Sequence, residues 1–287
     1  MLRMSEVNAV DHQAMQHMLT DGAVDWDGFG DQLAQEANAL LGGAQSVLLI
    51  DESGFTKKGE RSAGVARQWN GRLGKVDNCQ VGVFAALCRG DMASLVDARL
   101  YLPQAWADDA PRCAQAAIPE DARDYRSKTA LALAMVAAAQ RRGLRFGYVA
   151  VDSGYGKEPA FLYGLAALGC RFVADVHCHQ SIYLQDPAPQ VPAWSGRGRR
   201  PRHPQAQAAA VRVDHWVAAQ PADAWQRLCL RGGEKGPLVA EYLQTRVWVW
   251  DQTQTQACCW QLFVRREVGA SGISCRRRRE TGVNLPT

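Results

Sequence analysis

Two aspartates carry the strongest chemical signal in this sequence. Asp51 follows the apolar run Ser46-Val-Leu-Leu-Ile50 and opens the segment Asp51-Glu-Ser-Gly-Phe-Thr-Lys-Lys-Gly59. Asp152 follows Phe146-Gly-Tyr-Val-Ala-Val151 and opens Asp152-Ser-Gly-Tyr-Gly156. Each run is short, aliphatic and bounded by glycine, which predicts a buried strand ending at its aspartate. Taken singly, an aspartate at a strand end often does no more than cap the next turn. Two such strands side by side, however, aim two carboxylates at one point. Like charges that close repel unless a cation neutralises them. Hard oxygen ligands suit Mg2+ or Mn2+, and a pair of such ions activates water and stabilises the leaving oxygen in phosphodiester cleavage.

The elements that must position these carboxylates are legible in outline. Trp26, Phe29, Leu33, Ala37 and Leu40 recur at helical steps, with Asp25 or Asp27 as cap and Gly42-Gly43 as stop. Strand 46–51 follows, then strand candidates at 62–69 and 78–87 and an apolar stretch at 95–102. Ser127 caps a helix that Gly143 ends, with Leu131, Met135, Val136 and Ala139 as its stripe. Strand 146–151, helix 158–168 and strand 171–176 complete the order. This predicts an α/β fold, an RNase H-like mixed sheet with flanking helices, in which strands 46–51 and 146–151 lie adjacent at the centre. After it come five prolines between 187 and 204 around Ser195-Gly-Arg-Gly-Arg-Arg-Pro-Arg202, a loop composition. Alternating segments at 211–217, 225–230, 242–250 and 258–264 predict a β-rich insertion. The expected organisation is therefore a helical remnant at 1–44, a core at 45–182, an insertion at 183–264 and an irregular basic tail at 265–287.

Composition sets the outer bounds. The chain has 287 residues, 47% hydrophobic and 22% charged, which suits an ordinary globular core. Its net charge of +4 permits a polyanionic partner without requiring one. An odd count of nine cysteines, none in a C-x-x-C pair, predicts reduced thiols and a cytoplasmic setting. No apolar stretch approaches the length of a membrane span, and the N-terminus does not read as a leader. His177-Cys-His179 could bind a soft metal, but no third ligand is apparent in the sequence, and a pair of half-buried strand-end histidines is the better account of it. Glu52 points away from Asp51 in an extended chain.

The ordered motifs Asp51-Glu-Ser-Gly-Phe-Thr-Lys-Lys-Gly59, Ser62-Ala-Gly-Val-Ala-Arg-Gln68, Gly74-Lys-Val-Asp-Asn-Cys-Gln-Val-Gly82, Arg99-Leu-Tyr-Leu-Pro103 with Trp106, and Val151-Asp-Ser-Gly-Tyr-Gly156 resemble bacterial insertion-sequence transposases of the DDE superfamily. The similar branch opens on D-[DE]-[ST]-G-F-x-K-K-G. The resemblance implies that Asp51 and Asp152 are the first two catalytic acids and hold Mg2+ or Mn2+. It also implies double-stranded DNA, at element ends and target, as partner, with a homodimer in the synaptic complex and nucleoid association when bound. Lys57 and Lys58, and the basic loop of Arg197, Arg199, Arg200 and Arg202 beside Trp194, are expected to meet DNA phosphates, or else to be solvated loops. The chain departs from the pattern at the third acid, a glutamate expected on a helix after the insertion. Neither Glu267 nor Glu280 has that context. On this reading the chain is expected to be a fragment, truncated at both ends. The alternative to a cleaving enzyme is a DNA-binding remnant or an inhibitor of full-length transposase.

Overall fold

The computed structural model describes residues 2–231, 237–267 and 280–284. The elements in chain order are α1 (Leu2–Asn8), α2 (His12–Asp21), α3 (Trp26–Leu41), β1 (Val47–Thr56), β2 (Ala66–Asn70), β3 (Lys75–Arg89), β4 (Met92–Leu100), α4 (Gln104–Ala107), α5 (Ala110–Gln115), α6 (Lys128–Arg141), β5 (Tyr148–Val151), α7 (Ser153–Gly156), α8 (Pro159–Ala167), β6 (Phe172–Asp175), β7 (Ser181–Ile182), β8 (Val211–Arg212), α9 (Val213–Ala218), β9 (Gln226–Arg231), β10 (Leu238–Val249), β11 (Cys258–Glu267) and β12 (Glu280–Asn284). No helix among the described residues is long and apolar enough to cross a membrane.

One mixed sheet organises the molecule, in the order β2-β3-β1-β5-β6-β12-β11-β10-β9. β4 and β2 lie end to end along the same edge of β3. β1 pairs antiparallel with β3 and parallel with β5, and β5 pairs parallel with β6. This is the RNase H-like arrangement, with β1 and β5 adjacent at the centre. Leu48, Ile50, Val83, Ala85, Leu87, Val149, Val151, Phe172 and Ala174 share one face, and all are buried. That face packs on α3, α6 and α8 through Ala34, Ala37, Leu131, Met135, Val136, Leu162 and Leu165. α6 has the predicted cap: Ser127 Oγ accepts from the Ala130 N–H at 3.1 Å. Gly143 takes a positive φ of 70° to end the helix. α3 keeps Ala37 of the stripe that the periodicity predicts but otherwise buries a neighbouring one. Trp26, Phe29 and Leu40 are exposed, whereas Ala34, Ala37 and Leu41 are buried, because small side chains let the helix axis come close to β3 and β4.

Three further differences have physical causes. β1 does not end at Asp51 but runs to Thr56, since β3 pairs with it over the whole register from Val47↔Cys88 to Thr56↔Cys79. Residues 211–217, which alternate like a strand, are mostly the helix α9. Val213 and Val217 are buried one helical turn apart, so the same spacing satisfies both periods. The tail 265–287, expected to be irregular, contains β12, which bridges β6 and β11 by backbone pairing that no side-chain alternation announces. The run Arg276–Arg279 lies outside the described residues.

β10 and β11 share the core of the central strands. Trp260 is buried, with its ring centroid 5.3 Å from that of Phe172 and 5.6 Å from that of Tyr163. The Tyr163 hydroxyl donates to the Val249 carbonyl at 2.7 Å. A Trp260→Ala substitution is therefore expected to cost about 3–5 kcal/mol and to lower a single unfolding transition seen by both tryptophan fluorescence and far-UV circular dichroism. Two separate transitions, with only one of them shifted, would show that β9–β11 fold independently of the central strands.

Candidate functional site

The parallel pairing of β1 and β5 sets the geometry. Leu48 faces Val149 and Ile50 faces Val151, so the next residues in each strand direction are Asp51 and Asp152. Side chains alternate across an extended strand. Since Ile50 and Val151 point into the helix-covered core, both aspartates point to the opposite face. Asp152 keeps extended backbone angles, φ −78° and ψ −178°, which preserves this alternation to the strand end. That face is open: Leu49 is 43% and Val173 37% exposed.

The two carboxylates are held differently. Asp152 caps α7, accepting from the N–H groups of Gly154 at 2.9 Å and Tyr155 at 3.3 Å. The short helix is pressed on β6 so closely that a Cβ on Gly156 would overlap the Asp175 carbonyl. Asp51 lies within β1 opposite Phe84 and accepts from the Glu52 N–H at 2.7 Å. Although the Asp51 side chain reaches solvent, surrounding protein strips part of its hydration. That desolvation, together with the charges of Asp152 and Glu52, raises its pKa above the usual carboxylate value despite the opposing backbone hydrogen bond.

Glu52 points to the other face, as expected. Its carboxylate accepts from Lys128 Nζ at 2.8 Å, joining β1 to the first turn of α6. Lys128 also lies 5.4 Å from the centre of the Tyr101 ring. Burial, a hydrogen bond with Tyr125 and the Glu52 charge push the Tyr101 phenol up to about 12. Tyr155, one turn beyond Asp152, was not singled out by the sequence. It is 3% exposed, and its hydroxyl has no hydrogen-bond partner among the described residues. Burial and the charges of Glu52, Asp152 and Asp51 hold it protonated far above the ordinary phenol range. The signal was its place in Asp152-Ser-Gly-Tyr-Gly156, but only the fold shows that the phenol is enclosed beside three carboxylates.

The acid pair suits a hard divalent cation. Both oxygen donors are on one face, and among the described residues neither is neutralised by a lysine or arginine of the kind that pairs with Glu52. Among the described residues, Asp51 and Asp152 do not belong to any group of three His, Cys, Asp or Glu ligand atoms within 4.8 Å of one another. Glu267 ends β11 and Glu280 begins β12, so both lie on strands rather than on a helix.

Lys57 and Lys58 lie away from the pair. Because β1 continues to Thr56, Lys57 follows Asp51 by most of a strand, about 20 Å at roughly 3.3 Å per residue. Asn78 fixes that turn, its Nδ2 donating to the carbonyls of Lys57 at 2.9 Å and Gly59 at 2.8 Å. Beside it opens a cleft of about 990 Å³ lined by Arg61, Arg67 and Arg112, of which Arg67 lies in the Ser62–Gln68 motif. Arg112 is oriented there by the Glu60 carbonyl at 3.0 Å and by stacking 3.9 Å over Trp106. Arg197, Arg199 and Arg200 are exposed, and Arg202 is too, in a loop closed by mutual backbone bonds between Gln190 and Gln205 at 3.0 and 2.9 Å. Arg200 lies 5.0 Å from the Trp194 ring centre, and the Trp194 indole donates to Gly198 at 3.2 Å.

Comparison with known proteins places the chain in a family. The chain is similar to a probable transposase for insertion sequence element IS701 from Microchaete diplosiphon, with 28% identity over 175 residues, 60% of this chain. It spans 42% of the length of that relative. A family model described as DDE superfamily endonuclease matches residues 1–237, which include β1, β5 and both aspartates. The chain belongs to the DDE superfamily endonuclease family.

Proposed function

We propose that this chain acts in DNA cleavage and strand transfer during transposition of an insertion sequence, with Asp51 and Asp152 as its metal-holding acids. The observation that carries the reading is the Ile50↔Val151 register, which puts two carboxylates on one open face of neighbouring strands. Family membership and the transposase relative support it. Mg2+ or Mn2+, held by Asp51 and Asp152, would supply an activated water and charge stabilisation at the scissile phosphate. The protein's own contributions are distinct. The helix-capping amides fix Asp152, the β1–β3 ladder fixes Asp51, and the Glu52–Lys128 pair anchors the strand from behind. The enclosed phenol of Tyr155 is a neutral donor beside the acids.

Double-stranded DNA is the proposed partner. Lys57, Lys58 and the neighbouring Arg61, Arg67 and Arg112 form one set of phosphate-binding groups. Arg197, Arg199, Arg200 and Arg202 form another, on a loop long enough to follow a groove. A homodimer would bring two such sets to two DNA ends. A second reading, binding without cleavage, is favoured by one observation: no third ligand group joins Asp51 and Asp152 among the described residues.

Three outcomes are expected. In Mn2+ or Mg2+ the chain nicks supercoiled plasmid, and Asp51→Asn or Asp152→Asn abolishes nicking while leaving DNA affinity in place; full activity in either variant removes the metal-site assignment. If the unaltered chain binds DNA but never nicks it, the binding-only reading replaces the cleavage one. Replacing the four loop arginines by glutamine lowers the slope of log affinity against log salt by roughly 0.9 for each phosphate no longer neutralised; an unchanged slope leaves the loop without a role in binding. The pKa of Asp51 gives the third outcome. A folded value above the unfolded one means that the folded chain holds this proton more tightly, so the ionised carboxylate subtracts stability above the folded pKa. In chelator, Asp51→Asn is therefore expected to melt above the unsubstituted chain at pH 7. The difference should vanish as pH falls toward about 4, the ordinary carboxylate range. A variant that melts lower at pH 7 would contradict the raised pKa.

A further inference from the structure

We infer that Cys178, His179 and Asp214 form a binding site for a borderline-soft divalent cation, of which Zn2+ is the best fit, separate from the Asp51–Asp152 pair. The sequence shows His177-Cys-His179 without a third ligand. The fold supplies one from 35 residues downstream: Sγ of Cys178, Nδ1 of His179 and a carboxylate oxygen of Asp214 all lie within 4.8 Å of one another. Two of the separations are 3.7 Å, from Sγ to Nδ1, and 3.1 Å, from Nδ1 to Oδ2. Zinc bonds of about 2.0–2.3 Å at tetrahedral angles imply ligand-to-ligand distances of about 3.3–3.6 Å, so these two separations already sit near the required spacing. A thiolate and an imidazole select zinc over Mg2+ or Ca2+. A water would complete the fourth position.

Backbone bonds hold the ligands in place without help from any ion. The Asp214 N–H donates to the Cys178 carbonyl at 2.8 Å, the Val213 N–H to the Gln180 carbonyl at 3.0 Å, and Ser181 pairs with Arg212 across β7 and β8. The second carboxylate oxygen is supported too, since Asp214 Oδ1 accepts from the His215 N–H at 2.9 Å and from Arg212 Nε at 3.1 Å. Metal-ligating carboxylates are commonly braced in this way. One group competes with the ion. Arg212 Nη2 donates to Asp214 Oδ2 at 2.7 Å and also meets His179 Nδ1. Its positive charge therefore lies where a cation would. Arg212 is 41% exposed in its side chain, so the planar guanidinium can swing outward as a unit and leave Oδ2 to the ion. Bound there, the ion would clip α9 to the turn after β6. His177 and His179 of that turn line a cleft with Lys157, Tyr183 and Trp250.

Co2+ is the probe, titrated into the intact reduced chain in the presence of excess Mg2+. The expected result is one equivalent bound, with a thiolate-to-cobalt charge-transfer band and tetrahedral d–d bands, both abolished by added Zn2+. Cys178→Ser should remove the charge-transfer band, and Asp214→Asn should weaken Co2+ binding at least tenfold. Asp51→Asn should leave the spectrum unchanged. A second measurement uses no variant: Zn2+ should protect Cys178 from iodoacetamide, read by peptide mass mapping, while exposed Cys229 and Cys259 still react. Either a charge-transfer band that persists in Cys178→Ser or an alkylation rate at Cys178 that Zn2+ does not change would overturn the site.

Discussion

Electrostatic repulsion between two carboxylates, fixed by a strand register, is the constraint on which this molecule turns. A pair of strands cannot slip by one residue without reversing every side chain from one face to the other. Ile50 and Val151 are committed to the helix-covered core, and their commitment forces Asp51 and Asp152 out together. The apolar core thus stabilises an electrostatically costly arrangement that neither aspartate would adopt alone. Loss of hydration is the main reason that the pKa of Asp51 is raised, and the charge of Asp152 adds to it.

The rest of the architecture divides along the same plane. Behind the sheet, α3, α6 and α8 bury nearly every inward side chain, and the Glu52–Lys128 pair ties the first turn of α6 to the strand that carries Asp51. In front, Leu49 and Val173 remain exposed on central strands that parallel sheets ordinarily cover on both faces. Chemistry and incomplete cover therefore share one side. The Lys57 turn lies most of a strand-length away from the acids, and the arginine loop is closed on itself by the Gln190–Gln205 pairing.

Much of this was legible in the residues. Asp51, Asp152, the cap at Ser127 and the stop at Gly143 are local signals, and local signals survive folding. The adjacency of strands 46–51 and 146–151 followed from element order, and the fold bears it out. What failed were inferences that needed a partner. The end of β1 was misjudged because glycine and lysine in Gly54 to Lys58 resemble a turn, whereas β3 pairs with the strand as far as Thr56. The stripe of α3 is legible at Ala37 and misleading at Trp26, Phe29 and Leu40, because an alanine such as Ala34 gives little periodic signal. Val213 and Val217 fit a strand and a helix equally well until Asp214 and Val213 are tethered to the 178–180 turn. Asp214 itself could not be connected with Cys178 and His179 by any spacing rule, since a long stretch of chain with a proline-rich loop intervenes.

The contact between Gly156 and the Asp175 carbonyl bears on how such a chain can diverge. Asp152 is placed by the turn that follows it, and that turn rests on β6 with no room for a methyl group. Its tolerance to change is therefore set by volume at a residue that has no functional group at all. A lineage can exchange most of its surface, alter its charge and lengthen its loops while both carboxylates stay where they are. A single carbon added at Gly156, one helical turn away, would be enough to dislodge Asp152.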